Sequence, residues 1–506
     1  MVGENIKECE KQFLNYIEKI TAYEEANHVM YWDLRTGAPK NGVERRSEVI
    51  GMLSSEIYKM KTSDDMNDFL NLLLSNEAKS VISTITLKSA QECKKTYDRM
   101  KKIPIEEYQN YITLQTKAES VWEEAKEKNN FKLFLPYLEE LVNTTKRFIE
   151  YWGYEENKYN TLLDMYEPGM KVDILDRVFN DLRDGIVQLL QHIKKIEGDH
   201  DISFIHHYFP KDRQRDFCIE ILKQMGYDFY AGRLDETTHP FQITLNIGDA
   251  RVTNNYNERD FRVAVFGTMH EGGHALYEQN ISKDLVGTPL AEGTSMGIHE
   301  SQSLFNEIFI GRNRSFWKKN YDLLKQYASG QFDHVSIDDF YRAINEVKPT
   351  FIRIEADEVT YPLHIIIRYE IEKALFNDEI EVKDLPEIWK KKYEDYLGII
   401  PKSDRVGVLQ DVHWAGGSFG YFPSYALGYI YAAQFKFALL KDLPNFEQLL
   451  ESGDLLTIKD WFNKKVHKYG KMKEPIEILK EVTGEGPNPK YLLQYLNEKY
   501  EEIYAN

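Results

Sequence analysis

The stretch TMHEGGHALYEQN at 268–280 places His270 and His274 four residues apart, with Glu271 directly after the first. On a helix, that spacing sends both imidazoles off one face, a turn from each other. Two such histidines can bind one Zn2+ at ~2.0–2.1 Å each. A carboxylate beside the first is placed to act as the general base of the HExxH hydrolases. Gly272 and Gly273 fall between the histidines, where each weakens a helix by roughly 1 kcal/mol relative to alanine. The expected reason is clearance for a neighbouring strand or a substrate backbone. The bland alternative is an ordinary helix with two capped histidines, in a chain that has 13 of them.

A catalytic zinc site needs a third protein ligand and an open position. One subclass places a glycine three residues after the second histidine and another histidine six after it. Here those positions hold Tyr277 and Asn280. Glu278 lies too far along the same helix to share a coordination sphere with His270. Downstream, LAEGTSMGIHESQSLFNEIFIGRN offers Glu292 in a glycine-flanked loop and Glu300 in a helix predicted to begin near Ser295. Leu304, Phe305, Ile308 and Phe309 form the apolar side of that helix. A ligand on a helix is better preorganised than one on a loop, so Glu300 is the expected third ligand. A His2Glu set takes zinc by default and could also hold cobalt or manganese.

The elements that must carry these groups are mostly helical. Apolar residues at three-and-four spacing run through FLNYIEKITAYEE and through VDILDRVFNDLRDGIVQLLQHIKKI at 172–196. The exception is HPFQITLNIGDARVTNNY at 239–256, where Phe241, Ile243, Leu245 and Ile247 alternate with polar residues as in a half-exposed strand. After it, the histidine helix is predicted over about 258–279, with Asn257 as N-cap and Glu258 and Asp260 in its first turn. The apolar run at 419–440 carries Pro423, Gln434 and Lys436, which predicts a buried helix after a loop rather than a membrane span.

No linker, low-complexity tract or repeat divides the 506 residues. A single catalytic unit over 1–506 is expected, with helices of about 1–100 beside the site and a motif core at about 239–435. The net charge of −18 argues against a nucleic-acid partner. Cys9, Cys93 and Cys218 form no CxxC pair, and the charged N-terminus lacks the apolar run of a signal peptide. A cytoplasmic protein with no membrane association is the expectation.

Seven segments together resemble a known family. HPF at 239–241, DARVT at 249–253, HEGGH at 270–274, GIHESQS at 297–303, IRIEADEVTY at 352–361, GVLQDVHW at 407–414 and GYFPSYALG at 420–428 are similar to motifs of carboxypeptidase Taq, a family of zinc-dependent metallocarboxypeptidases. YWDLRTGAPKNGVERR and YLLQYLNEKY extend weaker echoes to both ends. The resemblance implies a mostly α, saddle-shaped fold with a deep groove and one small β-sheet near the active site, related to neurolysin and angiotensin-converting enzyme. It implies a homodimer that removes single C-terminal residues from peptides with broad specificity, proline being disfavoured. It implies His270, His274 and Glu300 as ligands of one Zn2+, with Glu271 as base. Leu304, Phe305 and Asn306 depart from the family's Arg-Leu-Trp.

Peptide hydrolysis passes through a tetrahedral oxyanion that needs hydrogen-bond donors. His413, Tyr421 and Tyr425 are the candidates, and the resemblance favours the pair His413 and Tyr425. A free C-terminal carboxylate suits an arginine fork. Arg353 and Arg251 lie within motif segments, against the alternatives that Arg353 pairs with Asp357 and Arg251 with Asp249. His299 and His364 could support ligands or simply pack, and His239 before Pro240 reads as structural. An oligoendopeptidase would share the zinc chemistry and need no Arg353. An aminopeptidase would show a GxMEN segment, which is absent. A helical interaction protein on a dead peptidase fold would not need the complete set of reactive residues.

Overall fold

The computed structural model describes residues 2–196 and 201–504. The N-terminal helices form a layer with its own core. Phe13, Ile17 and Ile20 on the first helix, Val2–Thr36, meet Leu70 and Leu73 of Asp64–Leu73, with Ala90 and Tyr97 of Thr84–Lys101 packed in the same cluster. Their spacing of three and four residues presents one apolar stripe. A much larger core fills the rest of the chain. Its long helix Val172–Ile196 has the predicted bounds and buries Leu175, Phe179, Leu182, Ile186, Leu189 and Ile193.

Between the two bodies runs a groove of about 1680 Å3. The first helix lines one wall with Glu25 and His28, and Ile243 and Leu245 line another. Met296 and His299 bring the groove to the histidine helix. This is the mostly helical, grooved architecture the resemblance implied.

The sheet has three strands, β1 Leu234–Glu236, β2 Gln242–Asn246 and β3 Asp249–Asn254, in the order β1-β3-β2. β1 runs parallel to β3 and β2 antiparallel to it, with a register shift between Thr244 and Asn246. The single alternating strand expected over 239–256 is thus a hairpin. Asn246 Oδ1 accepts from Gly248 N at 2.8 Å and turns the chain. The far end of β3 is tied to the next helix, where Asn254 Nδ2 donates to Ala264 O (2.9 Å) and to Thr268 Oγ1 (2.6 Å).

That next helix, Phe261–Gln279, begins three residues later than predicted. Asp260 caps it by accepting from Arg262 N, while Asn257 Oδ1 accepts from Arg259 N in the preceding turn. Both are Asx residues able to cap; Asn257 is spent on the turn. The apolar run at 419–440 forms the helix Pro423–Asp442, buried along almost all its length. Among the described residues, no helix is long and apolar enough to cross a membrane.

Candidate metal centre

The histidine helix Phe261–Gln279 and the glutamate helix Met296–Leu304 cross so closely that the histidine helix has no room for a side chain at Gly273. A Cβ at Gly273 would lie 2.4 Å from Gln302 O and 2.7 Å from Ser303 Cα. From the helix Pro423–Asp442, a Cβ at Gly428 would lie 2.5 Å from Glu300 Cβ. The close neighbour of the glycine pair is therefore a helix, not a strand or a substrate. Gly272 faces the ends of Leu222 and Met225 instead. Ser295 caps the glutamate helix where expected, accepting from Ile298 N at 3.0 Å.

This crossing brings His270, His274 and Glu300 together. Glu300 Oε2 lies 3.6 Å from His270 Nε2 and 3.4 Å from His274 Nε2, and the three ligand atoms fall within 4.8 Å of one another. Tetrahedral bonds of ~2.1 Å place neighbouring ligand atoms about 3.4 Å apart, so the residues fit a zinc-sized cation. Glu292 is elsewhere, exposed and paired with Lys471 Nζ at 2.6 Å.

Each imidazole is turned by a partner on its other nitrogen. His270 Nδ1 contacts Glu307 Oε2 at 2.9 Å, and Arg312 Nη2 contacts Glu307 Oε1 at 3.4 Å. His274 Nδ1 meets His299 Nδ1 at 2.6 Å, and His299 Nε2 meets Glu278 Oε1 at 2.9 Å. Glu278 also accepts from Gly293 N at 2.9 Å. Both chains leave Nε2 of the ligand-type histidines facing Glu300 and fix the tautomer. Burial opposes charge throughout the site. Even so, Glu300 and Glu307 lift His270 to about 10, and the two histidines hold Glu300 at about 2. Burial pushes Glu271 up to about 7 against the pull of His270, and its carboxylate accepts no hydrogen bond among the described residues.

A second group of side chains gathers beside the first. Arg353 is 6% exposed and donates from Nε to Asp411 Oδ1 (3.0 Å) and from Nη1 to Tyr361 Oη (3.2 Å). Its guanidinium carbon lies 5.0 Å from the Tyr425 ring centre. Asp411 accepts from Arg368 Nε as well, at 2.8 Å. Asp357 is not the partner of Arg353: its carboxylate accepts from Thr360, Val359 N and Lys348 N. Arg251 does close on Asp249, with Nε and Nη2 at 2.8 and 2.7 Å, and stacks over Trp32. His413 Nε2 faces Tyr425 Oη at 3.3 Å, and its Nδ1 is buried with no hydrogen-bond partner among the described residues. Tyr421 packs edge-on against Tyr425, ring centres 5.2 Å apart. Burial and the two guanidiniums bring His413 down to about 4.

The profile of the carboxypeptidase Taq (M32) metallopeptidases matches residues 12–500. The chain belongs to that family. Carboxypeptidase 1 of Bacillus subtilis is 54% identical over 98% of each chain. Thermostable carboxypeptidase 1 of Thermus thermophilus is 39% identical over 94% of each. The crystal structure of the M32 carboxypeptidase from Deinococcus radiodurans is 30% identical, with a TM-score of 0.94 over 98% of this chain and 99% of that one.

The structure of this M32 metallocarboxypeptidase also brings to the site residues that the motifs alone did not single out. Glu307 could have been found, because seven residues after Glu300 is two helical turns along nearly the same face. The signal is blurred by a π-helical turn over Phe305–Ile310, a distortion that concentrates at functional sites. The family departure at Leu304 and Phe305 is absorbed there as buried packing, Phe305 lying 4.6 Å from Phe462 between ring centres. Asp411 and Arg368 left no local signal, since 43 residues separate them. His364 is buried against Tyr393, and His239 is exposed.

Proposed function

We propose that the metallocarboxypeptidase holds one Zn2+ on His270, His274 and Glu300, with Glu271 as general base. The observation that carries this is the convergence of three ligand atoms around a zinc-sized gap, with both histidines oriented from behind. Zn2+ in such a site supplies a Lewis acid and lowers the pKa of water toward ~7.

The chain's own groups do the rest. Glu271 takes a proton from water and passes it to the departing amine; a carboxylate with pKa near 7 is suited to both. Tyr425 and His413 donate to the carbonyl oxygen as negative charge develops on it. Burial lifts the Tyr425 phenol and lowers the His413 imidazole, so each is a neutral donor at pH 7. Tyr421, packed edge-on against Tyr425, orients it. Arg353 binds the substrate's terminal carboxylate, because its guanidinium lies beside Tyr425 while the fork of Arg251 is closed on Asp249. Specificity is broad, with proline disfavoured, as the resemblance implies.

The test is E271Q. It should retain one equivalent of Zn2+, measured by metal analysis, and lose about 10²–10⁴-fold in kcat. H270A, H274A and E300A should each lose the metal. An E271Q protein of full activity overturns the assignment of the base. We extend the proposal to a cytoplasmic homodimer. Three unpaired cysteines suit a reducing compartment, and the dimer rests on the family resemblance. Light scattering that gives a single-chain mass, or fractionation that places the protein outside the cell, would overturn these two points.

A further inference from the structure

The loop Trp414–Gly420 carries His413 immediately before it and Tyr421 immediately after it. Both of its ends reach the same buried carboxylate. Trp414 Nε1 donates to Glu372 Oε1 at 2.6 Å, and Gly420 N donates to Glu372 Oε2 at 2.8 Å. A third donor, Tyr159 Oη, reaches Oε2 at 2.6 Å from the helix Lys158–Tyr166. Glu372 itself projects from the helix Tyr361–Phe376 and is fully buried. Burying a carboxylate is costly unless it is well hydrogen-bonded. Three donors from two parts of the chain meet that cost, and two of them are the ends of one loop.

The loop cannot hold its shape by local preference alone. Gly417 and Gly420 have φ of +70° and +88°, the left-handed region that favours glycine. A Cβ on Gly420 would lie 2.7 Å from Leu162 O. The middle of the loop is held by other bonds: Ser418 N donates to His413 O (2.9 Å), and Gln115 Nε2 donates to Gly416 O (2.7 Å). Neither of those bonds joins one end of the loop to the other; the ends otherwise meet through Phe422, whose ring centre lies 4.5 Å from that of His413 and 6.5 Å from that of Trp414. Across the loop's mouth, the His413 ring centre lies 5.6 Å from that of Tyr421 and 6.1 Å from that of Tyr425.

We propose that Glu372 is a positioning residue, a clasp that closes the Trp414–Gly420 loop and sets His413 against Tyr421 and Tyr425. The inference rests on the reading of His413 and Tyr425 as donors to the reacting carbonyl. A misplacement of about 1 Å in such donors costs on the order of 10²-fold in rate. Binding of the substrate's terminal carboxylate is assigned to Arg353, which hydrogen-bonds Asp411 and not Glu372, so loss of the clasp should fall on kcat and spare KM.

The experiment compares E372Q, H413A and the double variant E372Q/H413A with the wild-type zinc enzyme, on a peptide with a free C-terminus. Glutamine keeps the shape of Glu372 but turns an NH2 group toward N–H and O–H donors. E372Q is expected to lower kcat about 10–100-fold, keep KM within about threefold and retain full metal content. In the H413A background it should cost less than threefold more, because both changes act through one group. W414F, which removes one donor and leaves the carboxylate intact, should show a smaller fall in kcat of the same kind. It carries the test if E372Q does not fold. Y159F leaves both loop ends tied and should stay within about twofold of wild type. A kcat for E372Q or W414F within twofold of wild type, with H413A impaired, overturns the clasp and leaves the donor reading intact. Additive losses in the double variant also overturn it. Full activity in both H413A and Y425F would remove the donor reading, and with it the clasp's purpose.

Discussion

At the scale of single residues, the site is organised from behind the ligand-type side chains. His270 and His274 each present Nε2 because Nδ1 is occupied, by Glu307 and His299 respectively. E307Q keeps an acceptor but loses the charge, and removal of such a partner weakens metal binding about 10–100-fold. A competition titration against a chromophoric chelator should show a Zn2+ Kd at least tenfold higher in E307Q; an unchanged Kd would contradict the role. His413 gives a second prediction. Its folded pKa of about 4 lies below the unfolded value of ~6.5. Between those values the unfolded chain binds more protons, so this contribution to stability is complete above pH ~6.5. It is lost as pH falls toward 4, amounting to at most ~3.4 kcal/mol. Denaturant titrations from pH 7 to 4 should show a shallower slope in H413N than in wild type, with buried His364, shifted the same way, accounting for a remainder. Equal slopes would contradict a neutral, buried His413.

At the scale of elements, helix crossings decide what the motif residues can do. The Gly273 position predicts that G273A pushes the glutamate helix off by its backbone, because the added methyl meets Gln302 O and Ser303 Cα. Overpacking of this kind costs about 1–3 kcal/mol, so G273A should lower the Tm and weaken Zn2+ binding together. G272A should do less, since its methyl meets the flexible ends of Leu222 and Met225. Thermal melts with and without added Zn2+ check the pair, and equal behaviour of the two variants would contradict the crossing. The spacing of His270 and His274, the helix start near Ser295 and the long helix at 172–196 were legible in the sequence because each is a local signal of period or boundary. The start of the histidine helix was not, since Asp260 and Asn257 are equivalent caps until the turn at Arg259 chooses between them. The π-helical turn at Phe305–Ile310 was hidden for a similar reason: no residue type in FNEIFI is a local signal for it.

At the scale of the whole molecule, the groove is a product of contacts between distant parts of the chain. The N-terminal layer reaches the body through His28 on Thr244 O, Asn246 Nδ2 on Glu25 and Lys95 on Glu474, with separations of 216, 221 and 379 residues. No pattern within one segment encodes such pairs, so the groove was legible only through the family resemblance, whereas the helical class was legible from period alone. Arg353 illustrates the same limit. Its nearby acid in sequence, Asp357, is taken up by backbone amides, and Asp411, 58 residues away, holds the guanidinium in place. On the proposed reading, this groove delivers a free C-terminus to a zinc site in which Arg353 binds the carboxylate. That role is tested most directly with two peptides of one sequence, one ending in a free acid and the other in an amide, incubated with the enzyme with and without a chelator and read by mass. Stepwise loss of C-terminal residues from the free acid alone, abolished by the chelator, is the predicted result. Cleavage of both peptides at internal bonds, or equal trimming of acid and amide, would contradict it.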